Sequence, residues 1–304
     1  MKFEKYDIAI VGAGPAGMTA ALYGARAGKR VILFEGAVYG GQIVQSRLVE
    51  NYPGAPDVDG YTLAEQMMSP LRRLEVEVVS ASVNVIEKAS DGCFSVQTAK
   101  ENVLARTVIL ATGVTHRKLE VPGEDDLIGR GVSFCATCDG MFFRGREVAV
   151  IGGGNTAVQD ALVLSEICSK VYLIHRRDAF RAEERLMERL RAAENVEIVT
   201  DTVVSEMRGE NRLSGLVIRH VKTNEERELS VSGVFEAVGN LPQNAAFADL
   251  VALDADGYIL ANERCETNVK GIFAAGDCRQ KSVRQLTTAT ADGTVAALAA
   301  SEYC

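Results

Sequence analysis

Residues 9–35 and 149–175 align with each other without a gap, at an offset of 140 residues. The first segment reads AIVGAGPAGMTAALYGARAGKRVILFE and the second AVIGGGNTAVQDALVLSEICSKVYLIH. Each is an apolar run, a glycine-rich turn, a stretch rich in alanine and leucine, and a second apolar run, which is the pattern of a strand, a helix and a parallel strand. A chain that carries this βαβ unit twice is expected to be α/β with two dinucleotide-type domains. Its 304 residues, at about 150 per domain, agree with that number.

In the first copy Gly12, Gly14 and Gly17 form G-x-G-x-x-G, and in the second Gly152, Gly154 and Ala157 form the variant that ends in alanine. The first glycine makes a tight turn and the second lets backbone approach a pyrophosphate. The third position lets helix and strand pack closely, while the helix N-terminus faces the phosphate charge. Glycine-rich strand-to-helix turns also arise for packing alone. Here both matches follow a strand pattern and open a helical one, in register, which is the context a dinucleotide site requires.

The copies differ where their ligands should differ. The residue about 20 positions past the first glycine meets the adenosine ribose. In the first copy that residue is Glu35, a carboxylate suited to free ribose hydroxyls and repulsive to a 2′-phosphate. The equivalent place in the second copy holds His175, followed by Arg176, Arg177 and Arg181. Guanidinium forks bind phosphate oxygens bidentately, so the second nucleotide is expected to be NADPH. Arg185, Arg189 and Arg191 lie where acids and bases alternate, and read as the solvated face of a helix over 181–191. The first unit then needs another ligand compatible with Glu35, and FAD fits. Residues 271–277, an apolar run ending in small residues and Asp277, match a strand end where backbone approaches a cofactor; alone they would read as an ordinary Gly-Asp turn.

Of seven cysteines only Cys135 and Cys138 are closely spaced. An odd, scattered set does not look like a secreted disulfide framework. A C-x-x-C pair opening a helical turn brings two sulfurs close enough to cycle between dithiol and disulfide. Asp139, next in sequence, is placed to deliver or remove the accompanying proton. Half of a zinc site is the rival reading, but a closed site needs four ligands. The chain has no second C-x-x-C, and His116, His175 and His220 are not spaced to complete one, so no metal is expected. A composition with 47% hydrophobic and 24% charged residues indicates neither disorder nor a membrane span. The net charge of −8 opposes binding to nucleic acid. The charged opening at residues 1–5 runs straight into the strand-like residues 6–11 and leaves no room for a secretory signal, so a cytoplasmic location is expected.

Together with Gly40-Gly41-Gln42, Glu50-Asn51-Tyr52-Pro53-Gly54, Ala111-Thr112-Gly113, CATCDG at 135–140, HRRDAFRAE at 175–183, FAAGDC at 273–278 and Arg284-Gln285, these motifs resemble the bacterial low-molecular-weight, NADPH-dependent thioredoxin reductases nearly end to end. The most specific shared feature is the order of parts, with C-x-x-C inside the second dinucleotide domain. The resemblance implies a homodimeric flavoprotein built from two Rossmann-like domains of three-layer ββα type. FAD-type segments lie on both sides of the second unit, so the NADPH-binding domain at 114–241 is expected to be inserted into an FAD-binding domain at 1–113 and 242–304.

The FAD residues implied are Gly12, Gly14, Pro15, Ala16, Gly17, Glu35, Gly36, Gly40, Gly41, Gln42, Asn51, Ala111, Thr112, Gly113, Gly276, Asp277, Arg284, Gln285 and Leu286. Those implied for NADPH are Gly152, Gly154, Asn155, Thr156, Ala157, His175, Arg176, Arg177 and Arg181. By the same resemblance Cys138 faces the flavin, Cys135 attacks the disulfide of thioredoxin or a thioredoxin-like dithiol protein, and Asp139 is the acid-base residue. Because nicotinamide and cysteines share one domain and must both reach one flavin, a rotation of residues 114–241 about the two crossings is expected. The alternatives are a reductase of another small dithiol carrier and a redox sensor that binds NADPH without turnover. Three features depart from the pattern: Met141 after the redox motif, Glu236 inside the apolar run 234–238, and Cys304, expected to be a frayed, idle end.

Overall fold

The computed structural model describes residues 5–46, 48–55, 58–89 and 92–304. Residues 1–4 of the charged opening, part of the argument for a cytoplasmic location, lie outside the described residues. The chain divides into two compact units, Met1–Thr115 with Leu241–Cys304, and His116–Asn240.

In the first unit the repeat becomes strand β1 (Lys5–Val11), helix α1 (Pro15–Arg26) and strand β2 (Val31–Glu35). Helix α2 (Gly60–Arg73), with Asp59 capping its N-terminus, leads to β3 (Glu77–Ser80), β4 (Val83–Lys88), β5 (Phe94–Thr98) and β6 (Asn102–Leu110). The parallel strands run β3-β2-β1-β6, and a late strand, β17 (Ile272–Ala274), pairs with the end of β6 before the closing helix α7 (Leu286–Tyr303). Strands β4 and β5 join the start of β6 as an antiparallel extension.

Two cores follow from the alternation of the strands. Ile8, Ile10, Leu33 and Ile109 point into the layer of α1, α2 and α7, while Val11, Ile32, Phe34, Val108 and Leu110 pack under the antiparallel layer with Phe94 and Val96. Apolar residues on both faces explain why the parallel strands read as nearly continuous hydrophobic runs.

The crossings between units are β7 (Val114–His116) and β16 (Asn240–Pro242), which pair with each other. Between them lie α3 (Glu124–Leu127), β8 (Val132–Ser133), α4 (Ala136–Asp139), β9 (Glu147–Ile151), α5 (Asn155–Ser165), β10 (Lys170–Ile174), α6 (Glu184–Arg191), β11 (Val196–Val199), β12 (Thr202–Arg208), β13 (Gly215–His220), β14 (Glu226–Leu229) and β15 (Gly233–Glu236). The order β11-β10-β9-β15-β8, parallel throughout, reproduces β3-β2-β1-β6-β17 of the first unit. The antiparallel layer is again three strands, β12-β13-β14. One face of the parallel sheet packs on α5 and α6 through Val148, Val150, Leu173 and Phe235, and the other on the antiparallel layer through Ala149, Ile151, Ile174 and Val234. Each unit is therefore a three-layer ββα sandwich.

Helix α6 starts at Glu184, three residues later than the expected 181–191. Asn155 accounts for this: its Oδ1 accepts from Glu183 N at 2.8 Å, and the Arg181 amide is held by Gly153 O at 2.7 Å, so Arg181 stays in the loop beside the glycine turn. Among the described residues no helix is long and apolar enough to cross a membrane.

The third position of each glycine motif sets how closely helix and strand approach. A Cβ on Gly17 would lie 1.8 Å from the Gly12 carbonyl oxygen, whereas Ala157 is accommodated in the second copy. Gly17→Ala should therefore lower stability by about 2–4 kcal/mol, as overpacking against backbone does, while Ala157→Gly should lose no more than about 1 kcal/mol. Chemical denaturation of both variants measures the contrast.

Candidate active site

In the first unit β1 ends in a turn whose Gly12, at φ 102°, sits against the carbonyl of Ala111. Gly14 is different. Its φ of −72° suits any residue, and a Cβ there would meet nothing within 4 Å. No part of the described residues explains that glycine; a ligand backbone approaching the bare N-terminus of α1 does. That helix has Pro15 in its first turn, no side-chain cap and no acid within that turn, leaving amides and dipole for an anion.

Glu35 closes the turn, since Oε2 accepts from Ala13 N at 2.8 Å and Oε1 from Ala37 N at 2.9 Å. Each oxygen keeps a lone pair for a ribose hydroxyl. Gly40, whose amide bonds to Ala13 O at 2.8 Å, and Gly41 bring the next loop to the same turn, and the Gln42 amide donates to Val114 O.

Across the sheet, Asn244 ties two further segments together. It is 1% exposed, accepts from Thr112 Oγ1 at 2.7 Å and donates to Gly257 O and Cys278 O, both at 2.9 Å. Ala111, Thr112 and Gly113 are thus fixed beside Gly276 and Asp277. No sequence motif marks Asn244, because an isolated asparagine carries no pattern.

Asp277 Oδ1 is buried without a hydrogen-bond partner, with an ion pair to Lys281 Nζ at 3.5 Å, and burial pushes its carboxyl upward against that ammonium. A buried acceptor with no partner fits the hydroxyl-bearing chain of a flavin nucleotide. Arg284 lies over the Tyr258 ring at 4.0 Å and donates to Asp277 O at 3.3 Å. Gln285 caps α7, which opens at Leu286, and accepts from Asn51 Nδ2 at 3.3 Å. These residues fit FAD.

In the second unit the logic repeats. A Cβ on Gly154 would also meet nothing within 4 Å, and α5 begins at Asn155 and Thr156 with no side-chain cap. Arg176, Arg177 and Arg181 are exposed, and none of the three has an ion pair among the described residues. His175 departs from its expected place beside them. Its ring packs where a Gly153 side chain would stand, its Nε2 meets Ala179 O at 3.2 Å, and burial, with the neighbouring arginines, pushes its pKa down. It supports the loop from beneath because a neutral imidazole can be buried there.

Cys135 is the N-cap of α4, and the turn of that helix brings Cys138 to it in a disulfide with 5.3 Å between Cα atoms. The pair follows β8 and Gly152 follows β9, two strands away, about 10 Å in a sheet. Both lie at the C-terminal edge of the parallel sheet, where such folds bind ligands. Ser133 donates to Asp139 Oδ2 at 2.6 Å. Met141 and Phe142 are exposed just beyond.

Four other cysteines have thiols that differ from a reactive pair. Burial pushes the thiols of Cys168 and Cys265 up to about 11, and those of Cys278 and Cys304 upward, away from the reactive thiolate. Cys304 is not frayed as expected: its Sγ donates to Asp7 O at 3.2 Å, so the end of the chain is tied down.

Such twin dinucleotide units with a redox disulfide define a pyridine nucleotide-disulfide oxidoreductase. The comparisons agree: residues 6–293 match the family model described as Pyridine nucleotide-disulphide oxidoreductase. The chain is 43% identical to the thioredoxin reductase of Treponema pallidum, over 98% of this chain and 97% of that protein. It is 41% identical to the thioredoxin reductase of Bacillus subtilis, over 100% and 96%. The crystal structure of thioredoxin reductase from Streptococcus pyogenes superposes with a TM-score of 0.94 at 41% identity, covering 99% of each chain. The chain belongs to this family, among the thioredoxin reductases, flavoproteins that use FAD and NADPH to reduce a disulfide.

Glu236, the acid inside an apolar strand, is 4% exposed, and neither carboxylate oxygen has a hydrogen-bond partner. Burial, then the charge of buried Glu124, pushes it up to about 8, with partial relief from the Lys118 ammonium. Glu124 itself holds Leu119 N and Val121 N, both at 3.1 Å. A carboxyl with a raised folded pKa binds its proton more tightly folded than unfolded. Its stability is therefore full below the unfolded value near 4.3 and is lost as pH rises through about 8. Glu236→Gln should raise the melting temperature at about pH 9 by ~3–10 °C and change it little near pH 5, as read by calorimetry across pH.

Proposed function

We propose that this chain moves two electrons from NADPH through FAD to the Cys135–Cys138 disulfide and on to the disulfide of thioredoxin. The observation that carries the reading is the disulfide itself, formed at the edge of a parallel sheet whose glycine turn leaves an open approach at Gly154. Bound FAD supplies the exchange between hydride transfer and electron-pair transfer to sulfur.

The residues divide the work. Gly12, Gly14 and the first turn of α1 would take the FAD pyrophosphate, Glu35 the adenosine ribose, and Asp277 a hydroxyl of the flavin chain. Gly41, Gln42, Asn51, Thr112, Arg284 and Gln285 would complete that site. Gly154, Asn155 and Thr156 would take the NADPH pyrophosphate, and Arg176, Arg177 and Arg181 the 2′-phosphate. Their exposure without ion pairs supports this. Cys138 would receive electrons from the flavin, Cys135 would attack thioredoxin, and Asp139 would supply or take the proton. The inserted-domain allocation of 114–241, its rotation about the crossings, a cytoplasmic location and a homodimer belong to the same proposal. Exposed Tyr23, Val295, Leu298 and Tyr303 give α1 and α7 apolar surface for a second copy to cover.

Replacing Arg176 and Arg177 by alanine should raise KM for NADPH by about 10- to 1,000-fold and leave NADH nearly unaffected; an equal loss with both would make the arginines structural. With Cys138→Ser, NADPH should still bleach the flavin while thioredoxin reduction stops. Anaerobic NADPH titration tests the whole reading, since flavin plus disulfide takes up about four electrons per chain and flavin alone about two. Uptake of two electrons by the wild-type protein would overturn it.

A further inference from the structure

The redox turn is anchored by a residue outside the C-x-x-C motif. Ser133 is the last residue of β8, its backbone in register with Phe235 of the neighbouring strand, and its side chain is buried at 6% exposure. Its Oγ accepts from the Cys135 amide at 3.1 Å and lies 2.6 Å from Asp139 Oδ2. A hydroxyl has one proton and two lone pairs. With the Cys135 N–H on one lone pair, the Ser133 proton is directed to the Asp139 carboxylate, a contact short enough to be charge-assisted.

We propose that Ser133 is a positioning residue for the sulfur chemistry, holding the Asp139 carboxylate against the redox turn and setting how readily it gives up a proton. The inference rests on Asp139 being the acid-base group. A hydroxyl donating to the ionised form favours that form over the acid, and the preference grows where water is excluded. Protonated Asp139 accepts only a weaker, neutral hydrogen bond from Ser133, so the proton it carries is released more easily.

That release has a defined place in the reaction. In the dithiol enzyme Asp139 takes the Cys135 proton, the Cys135 thiolate forms a bond to one thioredoxin sulfur as the S–S bond of thioredoxin breaks, and the departing thiolate takes that proton from Asp139. Cys138 Sγ then bonds to Cys135 Sγ. The second thioredoxin sulfur leaves with the electron pair of the broken mixed disulfide and takes the proton lost by Cys138. Two electrons have passed from the dithiol to thioredoxin, and Asp139 is left ionised, hydrogen-bonded to Ser133. Ser133 joins the first residue of the turn, Cys135, to its last, Asp139, through a side chain rooted in the sheet.

The test is single turnover of pre-reduced holoenzyme with oxidised thioredoxin, followed across pH. Asp139→Asn should abolish one limb of the rate profile, which identifies the limb that titrates Asp139. Ser133→Ala should move that limb upward by about 1–2 pH units, the scale of a lost hydrogen bond to a charged group. Ser133→Thr, which keeps the hydroxyl, should return it. Flavin content and melting temperature report folding, and Ser133→Cys, a weaker donor of similar size, should give a smaller upward shift if the alanine variant does not fold. A profile lowered uniformly with the limb unmoved would make Ser133 merely structural and overturn the inference. A limb that survives Asp139→Asn would instead overturn the role of Asp139, so the two failures are distinguishable.

Discussion

The close passage of backbone at the glycine turns is the constraint on which the rest of the molecule depends. At Gly17 the helix comes so near the turn that no side chain fits between Gly17 and the Gly12 carbonyl. That approach aims the uncapped N-terminus of α1 at one point beyond the end of β1, and the same construction at Gly152 and Gly154 aims α5. A helix N-terminus leaves four amides unsatisfied, which is a defect in a chain without a ligand and an anion site with one. Strand order then collects the other contributors at the same edge: Glu35 from β2, Ala111 to Gly113 after β6, and Asp277 after β17. In the second unit it collects the cysteine pair after β8.

Charge is handled differently in the two places. Around the flavin site a partly buried network pairs opposite charges. Asp292 accepts from Gly276 N, pairs with Arg279 and also pairs with Lys281, each at 3.0 Å, and Lys281 reaches toward Asp277. The turn bearing Asp277 is thus held by paired charges, while Asp277 Oδ1 and Arg279 Nε are buried without a hydrogen bond. In the second unit Glu236 and Glu124 are buried without a cation of comparable burial among the described residues, and the strain is relieved by protonation of Glu236. The crossing strand near them is tied in by His116, which stacks on Phe134 with ring centroids 4.4 Å apart and meets Asn240 Oδ1 at 2.8 Å. The residue before Cys135 is thereby linked mechanically to both crossings.

What the amino-acid sequence by itself determined was whatever repeats or is local. Period and glycine spacing specified two βαβ units, because strand alternation, turn geometry and helix entry are all settled within about thirty residues. Glu35 against the arginine cluster set different nucleotide expectations for the two units, and the four-residue Cys135–Cys138 segment announced its disulfide. Tertiary structure decided everything that depends on which strands become neighbours. Asn155 setting the start of α6, Asn244 joining Thr112 to Cys278, His175 turning under Gly153 instead of outward, Ser133 bridging Cys135 and Asp139, and Glu236 meeting Glu124 are contacts of single polar residues. None has a periodic signature, and most join segments that only the sheet order brings together. A lone serine, asparagine or glutamate reads the same in sequence whether it faces water or a buried partner. The register of β8 on β15, and of β15 on β9, is what made the difference here, because it places each side chain on one face of the sheet and at one end of its strand.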